Sequence, residues 1–378
     1  MSRDLGRLLP EIRVPPPGPR SRALAAELRR HESPNVTYLG ERFPVFWSEA
    51  QGSNVRDVDG NVYVDLTAAF GVAAAGHGHP AIVAAVTSQA ERLLHGMGDV
   101  HPPEIKVELL RRLSEVAPGA LSRTILANSG AEAVEAALKT VLMATGKPKV
   151  LAFEGGYHGL TLGALSVSGR EDFRGPFRRQ LADIAVLVPY PCSRRAGGDT
   201  TDPGFASLQA IEGVLAGPSG GEIGAILAEP IQGRGGYVIP PPGWLAGVRR
   251  ICDERGILLV LDEIYTGFGR TGRWFACEHA GVVPDLLVVG KALTGGLPFA
   301  ACIGTDEVMG AWPASRGEAL HTSTFLGHPL GCAAALASIE ILRRERLVER
   351  SATEGEYLLA RLRATLGDHP KVTDVRGM

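Results

Sequence analysis

One pattern limits the folds open to this chain more than any other. From Gly76 onward, short unbroken apolar runs alternate with stretches of helical periodicity. The runs are Val150 to Phe153, Ile184 to Val188, Ile223 to Ala228, Ile257 to Leu261, Leu286 to Val289 and Ala300 to Ile303, and the helical stretches include Ala131 to Thr145 and Trp244 to Arg255. A run that is apolar at every position has no wet face, so it belongs in a sheet covered on both sides. Parallel strands need helical crossovers, and those supply the cover. The pattern therefore predicts an α/β layer with a mainly parallel sheet, and any ligand is expected at the carboxyl ends of its strands.

The flanks differ. The first 20 residues, rich in proline and arginine, read as a loose arm, followed by a short helix over Ser21 to Glu32. Val45 to Trp47 and Val55 to Asp65 alternate with a period of two, interrupted by Asp59-Gly60-Asn61, which predicts a β-hairpin in a separate sheet. After His321 the pattern turns helical over Pro329 to Glu345 and Leu347 to Leu366, and a returning strand is expected from Val372. A chain ending Val375-Arg376-Gly377-Met378 reads as stopping inside an element. The expected division is an arm and part of a small domain over 1–75, a large domain over 76–320, and an incomplete C-terminal part of the small domain over 321–378.

Composition narrows the function classes. With 378 residues, 45% of them hydrophobic, the chain can bury a large core and needs no staples. Its five cysteines form no CxxC pair and suggest neither a disulfide framework nor a zinc site, which fits a reducing cytoplasm. A formal net charge of -2 offers no electrostatic reason to hold nucleic acid or an anionic membrane. The N-terminus, with Arg3, Asp4, Arg7, Glu11 and Arg13 among prolines, lacks the apolar run of a signal peptide, and no run reaches the roughly 18 apolar residues of a membrane span.

Three positions carry chemistry. Asn128-Ser129-Gly130-Ala131 opens a helix in which Ala131, Val134, Leu138 and Val141 share the apolar face, so free N–H groups gather at Ser129 and Gly130. They suit a phosphate, although Ser129 also reads as an ordinary N-cap. Asp262 follows the buried run Leu259-Val260-Leu261 and can clasp a protonated ring nitrogen; a magnesium-binding aspartate is the competing reading, but no phosphate-binding Gly-rich loop with Lys-Ser/Thr accompanies it. Lys291 follows the run Leu286 to Val289, where burial lowers the cost of losing its proton and frees its amine for a Schiff base. Tyr157, in Gly155-Gly156-Tyr157-His158-Gly159, can lie flat on an aromatic ligand, and Thr322-Ser323-Thr324 offers hydroxyls for phosphate; packing and turn chemistry explain either equally well.

These motifs together resemble the class III, or omega, aminotransferases of the fold type I pyridoxal-phosphate enzymes. The resemblance spans roughly Tyr38 to Met378 and rests on Asp57 to Asn61, Gly76-His77-Gly78-His79-Pro80, Asn128 to Glu135, Tyr157-His158-Gly159, Glu229-Pro230-Ile231-Gln232-Gly233, Asp262 to Gly272, Gly290-Lys291-Ala292-Leu293 and Thr324-Phe325. It implies a large domain with a mainly parallel seven-stranded sheet and a small α+β domain built from both chain ends. It also implies pyridoxal 5'-phosphate as cofactor, no metal, and a homodimer whose subunits share active sites. By residue, it implies Lys291 as Schiff-base lysine and proton carrier, and Asp262 as partner of the pyridine nitrogen. Ser129, Gly130 and Ala131 would hold the phosphate, Tyr157 and Ile264 would cover the two ring faces, and Thr324 would reach the phosphate across the dimer interface. His158, Glu229 and Tyr265 join the cofactor-binding set. The implied activity moves an amino group from an amino acid or omega-amine to a keto acid or aldehyde.

Departures from the family bear on the substrate. Leu160 stands where 4-aminobutyrate enzymes commonly have a carboxylate-gripping arginine, and Arg234 where many relatives have a glutamate. An inward Arg234 would itself bind a carboxylate; an outward one is a solvated loop residue. Tyr265 replaces the usual glutamine and offers its phenol to the cofactor's ring oxygen, while Phe70 would narrow the substrate entrance or simply pack. Family members continue for several dozen residues past Gly377, completing the small domain and supplying an arginine for the substrate α-carboxylate. Two rivals stay open: an amino acid racemase or epimerase using the same lysine and aspartate, and a non-catalytic descendant.

Overall fold

The computed structural model describes residues 5–192 and 202–378. Seven strands form the main sheet in the order β4-β10-β9-β8-β7-β5-β6: β4 (Leu121–Ala127), β5 (Lys149–Phe153), β6 (Ala185–Val188), β7 (Ile223–Ala228), β8 (Leu258–Asp262), β9 (Leu286–Val289) and β10 (Ala300–Thr305). β5 to β9 pair in parallel, and β10 alone runs against its neighbours β9 and β4. The mainly parallel sheet expected from the apolar runs is therefore present. Strand β4 escaped the sequence reading because Ser122, Arg123 and Thr124 break its apolar run; its exposed start lies where the sheet edge meets solvent.

Both faces are covered, as the unbroken runs require. Successive residues of β8 and β9 divide between two cores: Leu259, Leu261, Leu287 and Val289 meet one, with Trp244, Val248, Ile339 and Leu342. Val260, Leu286 and Val288 meet the other, with Val134, Ala137 and Val141. The helix Gly130–Thr145 buries a wider stripe than its periodicity suggests, adding Ala133, Ala136 and Thr140, because it crosses the sheet's centre. The helices Trp244–Arg255, Pro329–Arg344 and Leu347–Leu366 form close to the residues their patterns indicate.

The N-terminal sheet holds β1 (Trp47–Gln51), β2 (Asn54–Asp57) and β3 (Val62–Val64), all antiparallel. Its hairpin turns on Asp57, whose Oδ1 accepts the N–H groups of Asp59 and Asn61. The described part of the arm is not loose. Leu5 is only 2% exposed, Asn54 Nδ2 donates to the carbonyls of Leu5 and Leu8, and Glu11 exchanges two backbone hydrogen bonds with Val62. Asn61 Oδ1 takes the N–H groups of Arg13 and Val14. Two inward asparagines thus tie down a segment whose own composition gave no sign of it. At the other end, Val372 begins no strand; the backbone there is a turn and then irregular chain, with no neighbouring strand to pair with. Among the described residues no helix is long and apolar enough to cross a membrane.

Candidate active site

Five of the strands deliver a candidate residue at their carboxyl ends. β4 leads into Ser129 and the helix Gly130–Thr145, β5 into Tyr157 and His158, β7 into Glu229, β8 ends on Asp262, and β9 leads into Lys291. Because β4, β5, β7, β8 and β9 share one direction, these ends converge on a single rim. There a cavity of about 690 Å³ is lined by Lys291, Asp262, Glu229, His158, Tyr157 and Ile264 among others. Gly130, Ala131, Tyr265, Phe70 and Arg234 also reach its wall, whereas Ser129 and Thr324 do not.

The acid at its floor is held from several sides. Asp262, 4% exposed, accepts the N–H of Ile264 on Oδ1 at 3.0 Å and lies 2.7 Å from His158 Nδ1 through Oδ2. Burial works against a charged His158, but the hydrogen bond to Asp262 and the charges of Asp262 and Glu229 outweigh it and raise its pKa. Glu229 accepts the N–H groups of Tyr157 and Gly233, each at 3.1 Å. Burial pushes its pKa up to about 7, with Asp262 adding to the effect and His158 opposing it. Glu263, the second acid after β8, points away from the cavity: it takes N–H bonds from Ala276 and Cys277 and the hydroxyl of Thr266, a structural use.

Lys291 has a left-handed φ of 40°, which a non-glycine residue adopts only where its surroundings hold it. Helix Pro329–Arg344 braces this turn through Ser338 Oγ, which donates to the carbonyl of Ala292 at 3.0 Å. Burial lowers the pKa of Lys291 against the pull of Asp262 and Glu229, and the charge of Arg234 lowers it further. Its Nζ stands 5.0 Å from the centroid of the Tyr265 ring. The Tyr265 hydroxyl is engaged elsewhere than expected: it meets the hydroxyl of Tyr237 at 3.2 Å, and burial followed by this contact pushes its pKa up to about 12.

Ser129 proves to be the N-cap, accepting the N–H of Glu132 at 3.2 Å, while Glu132 reaches back to the N–H of Asn128. That leaves the N–H groups of Gly130 and Ala131 without a protein acceptor among the described residues. Two glycines let this helix start press into the site. A Cβ on Gly130 would come 2.7 Å from Ile264 Cδ1, and one on Gly159 would come 2.9 Å from the Ala131 Cα. Phe70 reaches the cavity on an unusual turn, with Ala68, Ala69 and Phe70 all at positive φ and Asp65 Oδ2 accepting the N–H of Ala69 at 2.7 Å. Thr324 is exposed, and its neighbours Thr322 and Ser323 bond Asp99 and Asn128.

Residues 38–378 match the family described as aminotransferase class-III. The chain belongs to the class III aminotransferases. This aminotransferase is 40% identical over 336 residues to the acetylornithine aminotransferase of Methanosarcina acetivorans, covering 89% of this chain and 78% of the relative. The corresponding protein of Methanopyrus kandleri is 40% identical over 318 residues, covering 84% of this chain and 75% of the relative. Among solved structures, an (S)-enantioselective omega-transaminase from Thermomicrobium roseum superposes with a TM-score of 0.87 at 32% identity, over 94% of this chain and 82% of that one. The ornithine aminotransferase of Toxoplasma gondii gives 0.83 at 32% identity, over 94% and 80%. The fold is that of the fold type I pyridoxal-phosphate enzymes, and the activity is pyridoxal-phosphate-dependent transfer of amino groups between amine donors and keto acceptors.

Sequence reasoning missed three residues of this aminotransferase's cavity region. Tyr237, at a left-handed φ of 51°, pairs with Tyr265; Arg170 lines the cavity; Phe173 packs on Tyr157 at 5.5 Å between centroids. Tyr237 and Arg170 lie in loops and Phe173 in the single-turn helix Glu171–Arg174, all too irregular or too short for periodicity to mark an inward residue.

Proposed function

We propose that Lys291 holds pyridoxal phosphate covalently and carries the proton during transfer, with Asp262 as partner of the pyridine nitrogen. One observation carries this reading: a half-buried amine with a disfavoured ammonium form and a buried acid open onto the same cavity as the unclaimed N–H groups of a helix start. The donor set matches the cofactor in kind, an amine for its aldehyde, an acid for its ring nitrogen and backbone N–H groups for its phosphate.

Bound pyridoxal phosphate supplies an aldehyde that condenses with amines and a ring that takes up the electron pair left on the substrate carbon. The N–H groups of Gly130 and Ala131 hold its phosphate, with Ser129 capping the helix beneath them. Tyr157 and Ile264 would cover the two ring faces, and His158, 2.7 Å from Asp262 Oδ2, would hold that carboxylate in place for the ring nitrogen. Lys291 Nζ, poorly able to stay charged, removes the proton from the substrate carbon and returns it at the far end of the transfer, a role worth roughly 10²- to 10⁴-fold in rate. The face of Tyr265 steadies that Nζ while it carries the proton. Glu229, neutral or charged near pH 7, keeps the Tyr157 and Gly233 loops at the rim.

Kinship with acetylornithine aminotransferases supports an omega-amine of an amino acid as donor. Phe70 and Leu160 form apolar wall at the entrance, so the donor's chain, rather than a second charge, rests on them. The enzyme works as a homodimer in which Thr324 of the partner subunit completes the phosphate site, and five unpaired cysteines favour the cytoplasm. Residues 76–320 act as the cofactor domain, with 1–75 and 321–378 contributing the smaller one.

Borohydride reduction of the cofactor-loaded enzyme, followed by peptide mass spectrometry, tests the assignment. Wild type should carry the reduced adduct on Lys291 and Lys291→Ala none; an adduct that persists in the variant removes the lysine from its role. Amine donor alone should convert the bound cofactor stoichiometrically to its amine form, read in the absorption spectrum.

A further inference from the structure

Besides His158, which is paired with Asp262, one lysine and two arginines reach the cavity, and two of these three already have work. Lys291 lies at the floor beside Asp262 and Glu229. Arg170 is neutralised by Asp172, to which its Nε donates at 2.9 Å, and its Nη1 donates to the carbonyl of Arg234 at 2.6 Å. The third, Arg234, meets no carboxylate among the described residues. Arg234 is exposed at the mouth of the cavity, so water solvates it in the free enzyme and its donors stay available to an arriving anion.

Its setting is built. The loop that bears it is closed by two backbone hydrogen bonds between Gln232 and Val238, at 3.1 and 3.0 Å. Gly233 is fastened to Glu229, and Arg170 clamps the carbonyl of Arg234 itself. The guanidinium lies 4.8 Å from the centroid of Tyr157 and 5.8 Å from that of Phe173. A contact with the rings uses no N–H donor, so the guanidinium keeps its donors for a ligand, in the fork that matches a carboxylate's two oxygens. Leu160 and Phe70 offer nothing to an anion, Arg170 is paired with Asp172, and the hydroxyls of Tyr237 and Tyr265 meet each other, so the cation left for an anion on this wall is Arg234.

We propose that Arg234 is the specificity-determining residue of this cavity, gripping a carboxylate on the substrate while the substrate's nitrogen reaches toward Lys291. This rests on the functional reading above, and it adds that the preferred substrates are amino or keto compounds with a carboxylate remote from the reacting carbon. Arg234 acts at a distance on Lys291 as well: its positive charge disfavours the ammonium form there, and an arriving carboxylate offsets that charge.

The test uses the cofactor-loaded enzyme, Arg234→Gln and Arg234→Lys, with donors that differ only in the remote carboxylate: β-alanine against propylamine and 4-aminobutyrate against butylamine. The ratio of kcat/KM for acid over plain amine should fall by roughly 10- to 100-fold in Arg234→Gln, mostly through KM, the worth of a charge-assisted hydrogen-bonded pair. Arg234→Lys should retain part of the preference, having charge without the fork. Calorimetric titration with glutarate and butyrate gives a readout independent of turnover, and glutarate should lose affinity in Arg234→Gln by a similar factor. Equal losses on both donors of a pair, unchanged glutarate binding, or loss of the cofactor in place of selectivity would overturn the proposal. If wild type transfers from none of the donors yet glutarate binding depends on Arg234, the omega-amine reading of the donor fails and the carboxylate site stands.

Discussion

Glu229 shows how a single buried acid couples this site to pH. Its pKa stands at about 7 against an ordinary 4.5, so the folded protein keeps a proton that the unfolded chain releases between those values. Stability contributed by this group therefore falls as pH rises through that window, and the full cost, on the order of 3 kcal/mol, applies above it. Glu229→Gln cannot ionise and loses this dependence, while the swap of one oxygen for an NH₂ beside two N–H donors adds a pH-independent cost. Relative to wild type, the variant should gain stability between about pH 5 and about pH 8, measured by urea unfolding. A difference that stays flat with pH would show that Glu229 titrates normally. Lys291 has the opposite sign: its lowered pKa means the unfolded chain binds the extra proton, so its contribution improves as pH rises toward the ordinary lysine range.

Among the elements, the decisive contact is between the loop after β5 and the start of the helix Gly130–Thr145. Gly159 has a φ of +124°, and a Cβ there would meet Ala131 Cβ at 2.5 Å and Ala131 Cα at 2.9 Å. A methyl group can neither adopt that backbone comfortably nor push a helix backbone aside. Gly159→Ala should cost about 2–5 kcal/mol, combining strain and overpacking, and should weaken cofactor retention because it displaces the Ala131 N–H. Adding Ala131→Gly removes the methyl contact and not the strained φ, so it should restore only part of the stability. Full restoration in thermal unfolding would show that the backbone tolerates the residue. The sequence motif Tyr157-His158-Gly159 thus joins two needs, a residue on the cavity wall and a glycine that lets the wall close.

Across the whole molecule, the segments 93–101 and 320–328 lie side by side, tied by Thr322 Oγ1 to Asp99 at 2.9 Å and by a contact of His95 with Phe325 at 5.4 Å. They expose Leu94 at 60%, Met97 at 53%, Val100 at 60%, Leu320 at 71% and Phe325 at 55%. So much apolar surface on one strip is costly in water and favours burial against another subunit. In the proposed dimer this strip would be covered, so wild type should sediment as a dimer and Met97→Asp as a monomer that loses its cofactor sooner, since Thr324 lies on the same strip. A monomeric wild type, or a variant that stays dimeric and retains its cofactor, would dissociate the strip from assembly.

The legibility of this aminotransferase follows from the range of the forces involved. Local patterns were enough for the parallel sheet, its helices and the β2–β3 hairpin, because burial on both faces and turn chemistry act over a few residues. Asp262 and Lys291 were visible since each follows an apolar strand, and all parallel strands of one sheet end on the same rim. The arm on β3, the Tyr237–Tyr265 pair and the mixed-polarity edge strand β4 were not visible, for they depend on partners far along the chain. The same holds for the direction of Arg234. Its side chain lies over Tyr157 because β5 and β7 are neighbours in the sheet and the loops that follow them meet there.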